Sequence, residues 1–168
     1  MDETTIGLIY PILKCWMKNG QQKRLPMPTD KREAQLLAGV LNWRTEAVVC
    51  RELEACNRDG IIAFFEWLFT AIYPTETIVL GMDNASWHRS YAVQAALSLF
   101  EDRILLLWLP PYSPALNPIE RFWKHLKANA CANYLYSTLE QLLNNIRYVI
   151  QCHNHFDPDL HISFSKVF

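Results

Sequence analysis

Trp108-Leu-Pro-Pro-Tyr-Ser-Pro-Ala-Leu-Asn-Pro-Ile-Glu-Arg-Phe-Trp123 places a strand end, a proline-rich connector and a helix start in immediate succession. Ile104 to Leu109 is an apolar run of the kind expected for a buried strand, and Pro110-Pro111 stops it because proline cannot donate to a sheet ladder. Asn117, Pro118 and Glu120 then read as a helix start: a cap, a proline in the first position, and an acid three residues after the cap. Ile119, Phe122, Trp123 and Leu126 supply that helix with an apolar stripe. Glu120 therefore shares the polar side with Lys124 and Lys127. The Pro110 to Pro114 connector has little conformational entropy to lose, so it would aim the helix firmly.

Upstream lies Val79-Leu-Gly-Met-Asp-Asn-Ala-Ser-Trp-His88, which sets a carboxylate directly after a short apolar strand. In open α/β sheets ligands collect at the carboxyl ends of strands, where the Asp83 side chain emerges. Two acids brought together from a strand end and a helix start can hold a divalent metal over a phosphodiester. Each also has a plain structural role open to it. Asp83 can cap the next turn through Asn84 and Ala85, and Glu120 can bond back to the helix cap and meet the positive end of the dipole. A third acid, Asp2, is adjacent to Glu3, so on a strand only one of the pair can face a shared site. The alternative for both is a charged, untethered terminus. His88 can orient a carboxylate, touch phosphate, or serve as a structural residue near a helix start.

Outward from these motifs, Thr4 to Tyr10 reads as a short strand ended by Pro11, and Asn19-Gly20 as a tight turn within an irregular ribbon over residues 13 to 28. Ala34 to Leu41 and Thr45 to Arg51 read as strands joined at Asn42-Trp43-Arg44. Ile61, Phe64, Phe65 and Leu68 mark one helix face, and Val93, Ala96, Leu97 and Phe100 another. Thr77 to Met82 is a continuous apolar run, as for a strand covered on both faces. Ser137-Thr-Leu-Glu140 opens a last helix running to about Gln151. Antiparallel strands followed by strand–helix alternation imply an α/β fold, a mixed sheet flanked by helices.

The chain has 168 residues, of which 51% are hydrophobic and 20% charged, so one domain over 1–168 with a packed core is expected rather than disorder. No apolar run approaches the length of a membrane span, and the acidic start lacks the regions of a signal peptide, so a cytoplasmic protein is expected. Five cysteines without a Cys-x-x-Cys pair fit a reduced compartment better than a disulfide framework. Packing and helix-end roles account for Cys152-His153-Asn154-His155 better than zinc binding. The net charge of −1 carries no basic signature of nucleic-acid binding, although Arg121, Lys124, His125 and Lys127 gather on one helix.

Met82-Asp-Asn-Ala-Ser-Trp-His88, taken with Leu109-Pro-Pro-Tyr-Ser-Pro-Ala-Leu-Asn-Pro-Ile-Glu-Arg-Phe-Trp-Lys-His-Leu-Lys127, resembles the catalytic domain of mariner-type DDE transposases, above all their bacterial insertion-sequence relatives. The resemblance implies a ribonuclease H-like fold, with the acidic triad on Asp2, Asp83 and Glu120. It implies phosphoryl transfer with two Mg²⁺ or Mn²⁺ ions: water is activated to cut double-stranded DNA at transposon ends, and the freed 3′-hydroxyl attacks target DNA. Arg121, Lys124 and Lys127 would contact phosphates, with His88 a further candidate for DNA contact. A homodimer bridging two ends, associated with the nucleoid while acting, follows from the same resemblance.

Two departures from the family pattern shape the expectation. The helix-turn-helix region that recognises the inverted repeats is expected to be missing from this stretch, and the first strand is expected to be truncated because it starts at Met1, at a cost of several kcal/mol in buried area. Three readings result: a catalytic domain or fragment for DNA cleavage and strand transfer, an inactive remnant, and a stand-alone ribonuclease H-like nuclease. The long motifs favour the first over the third.

Overall fold

The computed structural model describes residues 1–8, 17–20, 33–55, 57–111 and 113–155. Strand β1 (Asp2–Gly7) pairs antiparallel with β2 (Ala34–Leu41), placing Asp2 opposite Gly39, and β2 pairs antiparallel with β3 (Val48–Leu53). The first strand thus begins two residues earlier than the alternation suggests, while Ile9 and Tyr10 lie outside the described residues. Of the ribbon over 13 to 28 only residues 17–20 are described, and Gly20 there adopts the positive φ of 79° that a tight turn requires. The hairpin strand opens at Val48 rather than Thr45. Asn42 Oδ1 accepts from the amides of Arg44 (3.0 Å) and Thr45 (3.3 Å), and Glu46 takes a φ of 58°, so the turn consumes those residues.

Strands β4 (Ile78–Met82) and β5 (Ile104–Trp108) run parallel, with Met82 opposite Trp108. The expected mixed sheet is therefore in two pieces, β1-β2-β3 and β4-β5. They meet where the Met1 amino group donates to the Gly81 carbonyl at 2.7 Å.

Helix α1 (Arg58–Trp67) starts on Asn57, whose Oδ1 accepts from the Gly60 amide, and continues as a π-helical turn over Leu68–Ile72. Helix α2 (Tyr91–Ser98) starts on Ser90 in the same way. The apolar stripes behave as expected. Ile61, Phe64, Phe65 and Leu68 are buried with Val93 and Leu97 against Ala38, Val40, Leu80, Met82 and Ile104 on one side of the sheet. On the other side α3 (Ile119–Leu126) and α4 (Leu139–Asn154) bury Ile119, Phe122, Trp123, Leu126, Leu142 and Ile146 against Ile6, Leu8, Leu37 and Val48.

Helices α3 and α4 pack over β1, β2 and β3. Strands β4 and β5 are consequently covered on one face, not two: Val79 and Leu105 are 64% exposed and Leu107 56% exposed. A run without polar alternation does not state how many helices will cover it.

The start of α4 also differs by one residue. Thr138 is the cap, accepting from the Gln141 amide, and the Gln141 side chain accepts from the Ser137 amide. Glu140 pairs instead with Arg147, which also holds Glu52 on β3. At the other end of α4, Asn154 accepts from the Val48 amide (2.8 Å) and donates to the Val48 carbonyl (2.7 Å), as a neighbouring strand would. His153 contacts the Glu46 carbonyl at 2.9 Å, so the Cys152–His155 run does serve the helix end. Among the described residues no helix is long and apolar enough to cross a membrane.

Candidate active site

Asp2 opens β1, Asp83 follows β4, and Glu120 stands in the first turn of α3. All three side chains line one cavity of about 410 Å³, together with Asn84, Pro110 and Pro114. Three elements far apart in sequence converge because the end of β4 and the start of β1 meet at the joint between the two sheet pieces, and the proline connector brings α3 over it.

Glu120 reaches the cavity because its expected capping role is not taken up. Asn117 supplies only its backbone carbonyl to the helix start, accepting from the Glu120 amide at 3.1 Å. The buried Asn117 side chain turns away and donates to the Met1 carbonyl at 3.2 Å. A buried carbonyl without a donor is costly, so this long-range bond outcompetes the local cap. No side-chain cap forms at α3, and the Asn117 amide that a capping glutamate would meet donates to the Pro114 carbonyl at 3.0 Å, so the Glu120 carboxylate is left to the cavity.

Asp2 is fixed by the Trp123 indole, whose Nε1 donates to Oδ2 at 3.1 Å. The Trp123 ring lies against Gly39, Asp2's partner on β2, where a Cβ would stand 2.8 Å from ring atom Cη2. Burial, with the Glu120 carboxylate adding to it, pushes the Asp2 carboxyl up to about 6. A carboxyl raised in the folded state stabilises the fold below its unfolded value and loses that contribution as pH rises through about 6. In EDTA, Asp2→Asn should therefore gain stability relative to wild type between about pH 4 and pH 7. Thermal melts across that range check the sign; a difference independent of pH contradicts it.

Asp83 serves its turn and the cavity at once. Its Oδ1 accepts from the Ala85 amide at 3.0 Å and meets His88 Nδ1 at 2.8 Å, while Oδ2 takes no hydrogen bond among the described residues. His88 is fully buried, and its Nε2 meets Glu3 Oε1 at 2.8 Å. It sits beneath the cavity, between two carboxylates, with neither ring nitrogen directed to solvent. Burial alone would lower the His88 imidazole, but Glu3 and Asp83 outweigh it and the net shift is upward.

Arg121 and Lys124 are exposed on α3, and Lys127 is half-buried at its end. Arg89 stacks over Trp108 at 4.2 Å from the ring centre and donates to Asn84 Oδ1, bracing a second cavity residue. Sequence reasoning missed Glu3, Trp123 and Asn117 as parts of this assembly. For Glu3 the signal was present, since β-alternation sends it to the face opposite Asp2. For Trp123 and Asn117 the apolar stripe and the cap motif each offered a sufficient local explanation.

A family model described as DDE superfamily endonuclease matches residues 1–143. The insertion element IS630 uncharacterized 39 kDa protein of Shigella sonnei is 30% identical over 160 residues, 95% of this chain and 46% of the relative. Uncharacterized protein y4pE/y4sA of Sinorhizobium fredii is 31% identical over 67 residues, 40% of this chain and 46% of that protein. The chain spans about half the length of the curated relatives it matches. Among solved structures, the Mos1 transposase paired-end complex with left transposon end superposes with a TM-score of 0.68 at 19% identity, covering 93% of this chain and 47% of that one. The Mos1 mariner paired end complex with Mn gives 0.68 at 17%, covering 90% and 47%. These superpositions establish the ribonuclease H-like α/β fold. With the family match extending through all three carboxylates and both long motifs, this chain belongs to the DDE superfamily endonucleases.

Proposed function

We propose that this chain is the catalytic part of a mariner-type insertion-sequence transposase, cutting double-stranded DNA at transposon ends and joining them to target DNA. The observation that carries the reading is the convergence of Asp2, Asp83 and Glu120, from three separate elements, on one open cavity. The donor set suits Mg²⁺ or Mn²⁺, which prefer carboxylate oxygen. Among the described residues no three such side chains close around a single ion. Mg²⁺ commonly takes one or two carboxylates and completes its shell with water and substrate phosphate, so the two proposed ions would draw on DNA oxygens as well as on Asp2, Asp83 and Glu120. Bound metal would supply an activated oxygen nucleophile and neutralise charge on the leaving oxygen.

The remaining work falls to the chain itself. Asp83 presents Oδ2 while its Oδ1 is tied back, and Trp123 holds Asp2 in place. Arg121, Lys124 and Lys127 follow Glu120 along α3 and would track the DNA backbone, anchoring it without reading sequence. His88, between Glu3 and Asp83, would act on DNA only through Asp83. A homodimer bridging two ends, working at the nucleoid, completes the proposal. In the solved neighbours the Mos1 transposase is seen with a transposon end and, in other crystals, with Mn or Mg.

The test uses the purified chain, a duplex oligonucleotide with a free 3′-hydroxyl and a supercoiled plasmid. Metal-dependent nicking and joining are expected, and each should vanish in Asp83→Asn and Glu120→Gln. Metal binding without either product would favour the inactive remnant. Neither binding nor a metal-dependent thermal shift would end the catalytic reading altogether. Cutting of plain duplex or RNA–DNA hybrid with no joining would point to a stand-alone nuclease.

A further inference from the structure

From the Glu3–His88–Asp83 chain of contacts we infer that Glu3 is a positioning residue, holding His88 so that its Nδ1–H pins Asp83 Oδ1 and leaves Oδ2 aimed at the metal. The inference rests on the proposed metal-dependent function of the same cavity. Both contacts are 2.8 Å, and His88 is completely enclosed, so the ring has one orientation available. With Glu3 and Asp83 ionised each carboxylate accepts only, and both ring nitrogens then donate. The Glu3 side chain is itself 8% exposed, whereas Asp83 is 49% exposed. The buried end of the chain is therefore the anchor and the open end the working group. Gln94 adds a second restraint by donating to the His88 carbonyl at 2.8 Å. Because Asp2 and Glu3 are neighbours on β1, that strand supplies one cavity carboxylate directly and controls another from the opposite face.

Outer partners of metal-binding carboxylates typically change metal affinity by about 10- to 100-fold when lost. The test is Mn²⁺ calorimetry on the full chain, run well below its unfolding temperature. Glu3→Ala should weaken Mn²⁺ binding by roughly 10-fold. Glu3→Gln, which still reaches Nε2, should restore binding to near wild type. A purely structural role would lower the melting temperature and leave the Mn²⁺ affinity of the folded chain unchanged. His88→Asn, whose amide nitrogen stands near the Nδ1 position, should bind Mn²⁺ more tightly than His88→Gln, whose amide reaches toward Glu3 instead. Should Glu3→Ala not fold, the two His88 variants decide alone, and equal affinities overturn the inference. Glu3→Gln binding as weakly as Glu3→Ala overturns it too. Asp83→Asn separates the two levels. If it abolishes binding while the Glu3 and His88 variants do not affect it, only the positioning role is lost. If it has no effect, the metal reading fails and this inference falls with it.

Discussion

Asp83→Asn is expected to reduce Mn²⁺ affinity by at least about 100-fold, the upper end of what loss of even an outer partner costs, with little change in the stability of the metal-free chain. The two effects separate because the substitution is nearly isosteric. An asparagine Oδ1 can still accept from the Ala85 amide and from His88 Nδ1, so the turn after β4 survives. What disappears is the charge at Oδ2, the oxygen with no partner among the described residues. Removing one of three carboxylates from a shared cavity also relieves repulsion in the absence of metal, which offsets the weaker bond to His88. Calorimetry with Mn²⁺ and a melt in EDTA report the two quantities separately. Undiminished affinity would remove Asp83 from the metal site and, with it, the ground for the proposed function.

Gly39→Ala carries a large expected loss of stability for a single added methyl group. The added Cβ would stand 2.8 Å from Trp123 Cη2, 3.1 Å from Cζ2 and 3.0 Å from the Cys50 sulfur. None of these can yield cheaply: Trp123 is buried and packed on Phe122, and Cys50 is held in the sheet opposite Gly39. Overpacking of this kind costs about 1–3 kcal/mol, equivalent to a Tm lower by roughly 2–12 °C in a chain of this size. The indole cannot retreat without drawing its N–H away from Asp2, so Mn²⁺ binding should weaken in step with stability. Gly81→Ala is the internal control, since nothing lies within 4 Å of its added Cβ. A Gly39→Ala protein melting with wild type would show that the Trp123 contact is not the constraint described.

The fold was readable wherever local pattern and tertiary partner agree. Strand β2 spans the residues its pattern marked, and the helix stripes at Phe64, Phe65, Phe122 and Trp123 are buried as their spacing requires. Legibility failed where a distant partner decided the outcome. Asn117 has the sequence of a cap, yet the Met1 carbonyl takes its side chain from the far end of the chain and the Pro114 carbonyl takes its amide, which leaves the Glu120 carboxylate to the cavity. Asp83 presented a choice between turn and site that the two oxygens of its carboxylate dissolve. For His88 the pattern leaves open orienting a carboxylate, touching phosphate or a structural role near a helix start, and the buried contact with Asp83 takes the first course because Glu3 approaches from another strand. Local propensity contains neither the Asn117–Met1 nor the His88–Glu3 pairing. The apolar run in β5 shows the converse limit: it announces burial on both faces, and α3 and α4 cover other strands.

The Asn154 amide on Val48 bears on what this protein avoids. Among the described residues strand β3 has β2 on one side only, so its other edge presents backbone groups to any passing extended chain. By occupying both the amide and the carbonyl of Val48, the end of α4 blocks the first rung on which a foreign strand could register. The Arg147 and Glu52 pair places charge farther along the same edge, where an approaching backbone would have to desolvate it. A helix terminus thus acts as a cork in an open seam, keeping one copy of the sheet from templating the next.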